Sequence, residues 1–336
     1  MGGISIKCVK VINLNPFLMS ILQKDEFYLD LGGTIESHDT KLFHLKDGDI
    51  ATYSFSHLAF ISSDYHIQYL LEQFGRIDSL CQLEEDNELL LMACQNAIHF
   101  LYKNKYKEYK DCCHFYAHDS GISPIAMVAL VKKYLATAGG DRIIKIWNFD
   151  MTEEFKKSLI EKGNLSLKLN INTLFVEKLE GHTDNVTSLA YNKEKNILVS
   201  GSEDNTIRLC NMQTFQVISV ILNVRCDESR NLSLIDRNRI IIGGNYKMVI
   251  LDISSGKREE IKYYRFNNPI RFIRMNEKIL LIGCSSAFCF LNIEDYSFSM
   301  KLFGIRYQSQ LYDLVAVSQH EFWTTSTIGE IKVWKY

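Results

Sequence analysis

Short apolar and β-branched runs recur along the chain, each bounded by turn-forming residues. They fall at 135–138, 143–147, 186–191, 197–200, 240–242, 249–253 and 279–282. Clusters of Gly, Ser, Asn and Asp follow many of them, as at Gly139-Gly140-Asp141, Gly201-Ser202-Glu203-Asp204, Gly243-Gly244-Asn245 and Gly283-Cys284-Ser285-Ser286. Runs of this length between turn clusters predict strands, because a buried strand needs only a few apolar positions and a turn needs residues that tolerate unusual backbone angles. The chain therefore reads as all-β.

The spacing of the runs narrows the architecture. Taking the apolar residue near the end of the strand after each turn gives Leu45, Leu101 (or Tyr102), Trp147, Cys210, Leu251, Leu291 and Trp334. The last three intervals are 41, 40 and 43 residues, and about 40–45 residues for four strands is the spacing of propeller blades. Seven such positions predict a single domain over 1–336 with seven four-stranded blades. The boundaries follow as a closing outer strand in 1–15, an irregular first blade in 16–75, blades at 76–117, 118–180, 181–223, 224–267 and 268–309, and a last blade in 310–336. Residues 330–336 read as a third strand, so the missing outer strand is expected from residues 4–12, which would close the ring and remove an exposed sheet edge. Two longer intervals call for insertions. One is a short helix at 152–163, capped by Thr152 and ended by Gly163, with Phe155, Leu159 and Ile160 on one face. The other lies near 65–75.

Residues 181–211, from Gly181-His182-Thr183-Asp184-Asn185 through Ser200-Gly201-Ser202-Glu203-Asp204 to Cys210-Asn211, resemble a WD repeat. So does the preceding unit, with His118, Thr137, Asp141 and Trp147. The resemblance implies a hydrogen-bonded tetrad in each blade: a His before the first strand, a Ser or Thr on the second, an Asp in the next turn and a Trp on the third. In one blade that is His118, Thr137, Asp141 and Trp147. In the next it is His182, Ser200 and Asp204, with Cys210 in place of Trp, so that network is expected to be shortened. The final unit keeps Thr324 and Trp334 but has Ile328 in place of the Asp. The units around Leu251 and Leu291 retain only the strand pattern, and the first hundred residues depart furthest.

Composition excludes several classes. Lys plus Arg number 38 against 40 Asp plus Glu, so there is no basic excess of the kind a phosphate-backbone binder uses. No apolar run approaches the roughly 18 residues of a membrane span, and residues 1–6 lack a signal-peptide core. The nine cysteines include no Cys-x-x-Cys pair and read as small buried hydrophobes of a reducing, intracellular compartment, cytoplasmic or nuclear. The sequence Cys112-Cys113-His114 invites a metal, but neighbouring strand residues alternate faces and do not share one tetrahedral ion. No nucleophile elbow, glycine-rich phosphate loop or metal-ligand spacing of histidines is present. The chain is read as a non-enzyme with no cofactor, metal or small-molecule substrate.

The expected role is a scaffold that binds other proteins inside a larger assembly. Candidate contact residues on the tetrad side are Asp119, Arg142, Thr183, Asp184, Asn185, Glu203 and Tyr246, with Phe155 and Leu159 of the 152–163 segment on the opposite face. A second reading is an RNA-contacting propeller of a ribonucleoprotein or ribosome-maturation complex. It rests on Lys103, Lys105, Tyr106 and Lys107, where basic and aromatic residues interleave. The plainer account of that stretch is an outer strand whose lysines guard its edge.

Overall fold

The computed structural model describes residues 7–13, 41–53, 58–70, 76–83, 88–95, 97–104, 106–119, 126–150, 171–222, 232–244, 247–262, 269–284, 287–299, 310–326 and 330–335. The described strands form seven antiparallel sheets of four. β1 is Lys7–Asn13. Blade 1 is β2–β5: Lys41–His44, Ile50–Tyr53, Leu58–Ile61 and Ile67–Leu70. Blade 2 is β6–β9: Ile77–Gln82, Leu89–Cys94, Ala97–Lys103 and Tyr109–Tyr116. Blade 3 is β10–β13: Ala126–Ala129, Tyr134–Ala138, Ile144–Asn148 and Phe175–Leu179. Blade 4 is β14–β17: Val186–Asn192, Ile197–Ser202, Ile207–Asn211 and Gln216–Ile221. Blade 5 is β18–β21: Leu232–Leu234, Arg239–Gly244, Lys247–Asp252 and Arg258–Lys262. Blade 6 is β22–β25: Pro269–Arg274, Ile279–Cys284, Ala287–Asn292 and Phe298–Ser299. Blade 7 holds β26–β28, Leu311–Ser318, Glu321–Ser326 and Glu330–Lys335, and takes β1 as its outer strand.

The core is divided among the blade interfaces. Seven clusters of buried residues each join one neighbouring pair, and the set runs from blades 1 and 2 through to blades 7 and 1. An open row of seven blades would have six interfaces, so the seventh cluster shows that the ring is closed. Middle strands are covered on both faces, which is why β7 (Leu-Leu-Leu-Met-Ala-Cys) is continuously apolar and wholly buried. Outer strands such as β13 and β17 are largely exposed.

The seam between blades 7 and 1 is fastened twice. β1 pairs with β28 over six register positions, from Lys7 opposite Lys335 to Asn13 opposite Glu330. On the inner strands, Asp313 of β26 is buried and accepts from the Leu42 amide of β2 at 2.9 Å. It also accepts from Arg271 of β22 at 2.8 and 3.0 Å. Arg271 in turn donates to the Leu42 carbonyl at 3.1 Å. One buried carboxylate thus ties the inner strands of blades 6, 7 and 1.

Pairing identifies the same position in every blade. Six of the seven marker residues sit on third strands: Leu101, Trp147, Cys210, Leu251, Leu291 and Trp334 face Leu90, Leu135, Leu198, Ile240, Leu280 and Phe322 of the second strands. Leu45 does not belong with them, since it directly follows the innermost strand β2. The equivalent residue in blade 1 is Ile61, opposite Ile50 and 40 positions before Leu101. Asp47-Gly48-Asp49 therefore turns β2 into β3, with Gly48 at φ +93°. The four strands of blade 1 lie at 41–70, within the stretch expected to be irregular. The helix expected at 152–163 lies outside the described residues; the short helix that is described is α1, Ile171–Leu174, just before β13.

Candidate functional site

The sequence-selected polar residues meet in blade 3. His118, in the loop before β10, has Nδ1 2.8 Å from Asp141 Oδ1 and Nε2 2.8 Å from Thr137 Oγ1. The Trp147 indole N–H donates to the same Thr137 oxygen at 2.8 Å. The indole can only donate and the ionised carboxylate can only accept, so Thr137 Oγ1 accepts from Trp147, His118 turns its Nδ1–H to Asp141, and the hydroxyl bridges Nε2 and the indole. His118 and Thr137 are buried. Gly139 lets the ring in, because a Cβ there would meet the His118 ring at 2.9 Å.

Blade 4 repeats the arrangement with one member fewer. His182 contacts Asp204 at 2.8 Å and Ser200 at 2.9 Å. Cys210 is buried with a thiol that burial pushes up to about 11, so it stays a neutral, weak donor. Compensation comes at the other end, where the Thr206 hydroxyl and the Thr183 amide donate to Asp204 at 2.7 and 3.0 Å. In blade 7, Trp334 donates to Thr324 at 2.9 Å; Ile328 lies outside the described residues.

The networks of blades 3 and 4 each have an extra member that the sequence reading missed. Lys145, opposite Thr137 on β12, donates to the carbonyl of Ala117 at 2.8 Å. Arg208, opposite Ser200 on β16, donates to the carbonyl of Gly181 at 2.5 Å. In both blades a third-strand cation therefore grips the peptide just before the tetrad His. Gly181 sits at φ +128°, and a Cβ there would meet the Arg208 guanidinium at 2.3 Å. The available signal was a basic residue at the same offset, two positions before Trp147 and before Cys210.

Electrostatics agree with a bracing role. Burial alone would raise the Asp204 carboxyl, but hydrogen bonds from Thr206, Thr183 and His182 outweigh it and bring it down to about 2. Burial lowers His182 below its usual value against the opposing pull of Asp204. Both folded-state values lie below the unfolded ones, so both contributions are present above the unfolded values and fade as pH falls. Stability should start to drop below about pH 6.5, where His182 is protonated in the unfolded chain but still neutral in the fold, then more steeply from about pH 4 towards 2 at Asp204. The Asp204 part is on the order of 1–2 kcal/mol. Asp204→Asn should melt lower than the parent at pH 7 and differ less from it at pH 2.5. Parallel melting curves at all pH values would refute this assignment.

The candidate contact residues surround these networks. Asp119 and Arg142 of blade 3 and Thr183, Asp184 and Glu203 of blade 4 are exposed. Arg142 and Asn205 take left-handed backbone at φ +66° and +62°, each directly after a tetrad Asp. The blade 4 loop is internally braced: Asn185 donates to the Glu203 carboxylate at 2.8 Å, and Ser202 donates to the Asp184 carbonyl at 3.0 Å. Tyr246, Phe155 and Leu159 lie outside the described residues.

The basic stretch is a hairpin and not an outer strand alone. β8 ends at Lys103, Asn104 and Lys107 close the turn, and β9 begins at Tyr109. Lys103 is ion-paired with Asp47 and Asp49 of blade 1 and lies 5.3 Å over the buried Tyr109 ring. Tyr106 and Lys107 are exposed, and Lys105 lies outside the described residues. A β-bulge in β9 carries Cys112 into the same buried cluster as Cys113, so the two do not alternate as expected. Burial pushes the Cys113 thiol up to about 12. Among the described residues no three His, Cys, Asp or Glu side chains group as metal ligands, and no helix is long and apolar enough to cross a membrane.

The WD domain, G-beta repeat family matches residues 174–211, which hold β13 through β16. The chain is 30% identical over 103 residues to the probable coatomer subunit beta' of Schizosaccharomyces pombe. It is 34% identical over 88 residues to mitochondrial division protein 1 of Saccharomyces cerevisiae. These matches cover 30% and 26% of this chain but 10% and 12% of those proteins, so the chain spans only a small part of their length. A chain in the crystal structure of a mitotic checkpoint complex superimposes with a TM-score of 0.71 over 98% of this chain and 92% of its own length, at 11% identity. That likeness speaks to the fold alone. With the closed ring of seven blades, the repeat match over residues 174–211 and the His-Asp-Ser/Thr networks in hand, the chain is a seven-bladed β-propeller that carries a WD repeat.

Proposed function

We propose that the protein is a non-catalytic scaffold that holds other proteins, acting inside the cell as a subunit of a larger assembly. One observation carries the reading. In blades 3 and 4 the imidazole, carboxylate and hydroxyl groups that could act as base or nucleophile are spent on one another in closed, buried networks, while exposed polar loop tips of these two adjacent blades surround them. His118 and His182 use both ring nitrogens within the fold, and the Cys210 thiol is held un-ionised. Seven cysteines, from Cys81 to Cys289, are free and buried, which suits a reducing compartment. One protein similar in sequence is named as a coatomer subunit, and this supports the reading by likeness.

The RNA reading draws less support, because Lys103 is already engaged by two carboxylates. The test is affinity purification with quantitative mass spectrometry, comparing the parent with a triple variant, Arg142→Glu, Asp184→Lys and Glu203→Lys. Surface changes of this kind cost little stability, so the two proteins should melt alike. The expected result is loss of about four-fifths or more of the specific co-purifying subunits. An unchanged set of partners would rule out this face as the contact surface.

A further inference from the structure

The outer strands differ in how their free edges are protected. Sheet edges invite pairing with other chains, and charged side chains on the edge normally prevent it. β9 carries Lys110 and Asp111, β13 carries Glu177 and Lys178, β21 carries Arg258, Glu259 and Glu260, and β1 carries Lys7 and Lys10. β5 and β25 are described over four and two residues. Among the outer strands described over five residues or more, β17 alone has no charged residue: it reads Gln-Val-Ile-Ser-Val-Ile, and Leu222 follows.

Its side chains are also the main apolar exposure of the described surface. Val217, Ile218, Val220 and Leu222 are 39, 52, 42 and 57% exposed, and they are four of the seven large hydrophobics that stand out in solvent. The strand is regular where pairing needs it, with Ser219, Val220 and Ile221 opposite Leu209, Arg208 and Ile207. A bulge sets Ile218 apart from the ladder, so its side chain adds an apolar knob beside the free edge.

We infer that β17 is a strand-addition site, which takes an extended, uncharged segment of a partner protein as a fifth strand of blade 4. In such pairing the main chain supplies most of the attraction and alternate side chains supply the selectivity. Charge selects the partner: a Lys or Asp laid against β17 would find no counter-charge on the strand, whereas β-branched and hydroxyl side chains fit a neutral pleat. Extent argues against a second copy of this chain. The patch has four exposed apolar side chains, against roughly 20–30 residues a side in a standard stable interface. A short segment needs no more than the strand itself.

The inference rests on the scaffold reading, yet it fails separately. The probe is a short labelled peptide of alternating threonine and valine, tested against the intact protein. Saturable binding is expected, with slowed hydrogen exchange confined to the β16–β17 region. Val220→Lys should weaken binding about ten-fold or more without changing the melting temperature, because the site is exposed. A peptide N-methylated at alternate residues keeps its side chains but loses donors, and should also bind about ten-fold more weakly. Equal binding of the N-methylated peptide, protection elsewhere, or no binding would overturn the inference. Dimerisation of the protein that Val220→Lys abolishes would overturn it too, by making a second copy the occupant. If the peptide fails while the Arg142, Asp184 and Glu203 variant still loses its partners, the scaffold reading stands alone.

Discussion

Removal of residues 1–13 should lower the melting temperature by about 10 °C or more and broaden the transition. The deletion takes away β1, which pairs with β28 over six register positions. At roughly 1 kcal/mol net per ladder hydrogen bond the loss is about 5 kcal/mol, a large share of the ~5–15 kcal/mol that holds a typical domain together. A further cost follows, because the outer edge of β28 is left unpaired beside the seam that Asp313, Arg271 and Leu42 fasten from the inside. The inner fastening limits the damage to blade 7 and its neighbours, so the expected outcome is a looser ring and not an unfolded chain. The measurement is calorimetry of the parent and the truncated protein, with a synthetic peptide of residues 1–13 added back in trans. Recovery of most of the lost melting temperature would assign the effect to the strand. Identical melting of the two proteins would mean that β1 does not hold the ring shut.

Much of the ring was legible because its spacing is a physical necessity. Each blade must present four short strands between two neighbours, and the distance between equivalent middle-strand positions stays near 40 residues wherever no insertion intervenes. The tetrad was legible by another route, because the resemblance to a WD repeat implied the roles of His118, Thr137, Asp141 and Trp147, and their donors and acceptors complement one another. Blade 1 lacked such a marker. Without a Trp or His to set the phase, the apolar residue beside the Asp47-Gly48-Asp49 turn looked like the end of a third strand, although that turn joins the first strand to the second. The outer hairpin at 103–109 was misread for a similar reason, because its lysines resemble an edge guard in sequence and only the fold brings Asp47 and Asp49 across from blade 1. The cations Lys145 and Arg208 left only a shared offset before Trp147 and Cys210, since a carbonyl acceptor 27 or 28 positions earlier leaves no trace in side-chain pattern. The candidate contact face stands between these cases, as loop residues whose exposure is plain but whose partners no spacing rule names.

Register also sorts the blades by how their centres are braced, and that sorting carries the second large prediction. Two residues along from the paired position on each second strand stand Thr52, Met92, Thr137, Ser200, Ile242, Ile282 and Thr324. Three blades therefore fill the site with apolar side chains, while four place a hydroxyl there, and the four hydroxyls are not equivalent. Thr137 links Trp147 to His118. Thr324 serves Trp334. The Thr52 hydroxyl is buried and has no hydrogen-bond partner among the described residues. Thr137→Val should then cost about 3 kcal/mol, since it leaves the indole N–H and the imidazole Nε2 buried and unpaired at roughly 1–3 kcal/mol each. Thr324→Val should cost about half as much. Thr52→Val should be neutral or mildly stabilising, by up to about 1 kcal/mol, because it removes a buried hydroxyl that gains nothing from the fold. All three substitutions exchange a hydroxyl for a methyl at a buried site, so volume and strand propensity nearly cancel in the comparison. Urea titration of the three variants gives the ranking directly. Equal costs at Thr137 and Thr52 would show that the partners of these hydroxyls do not decide their worth, and the network would then be geometry without energetic weight.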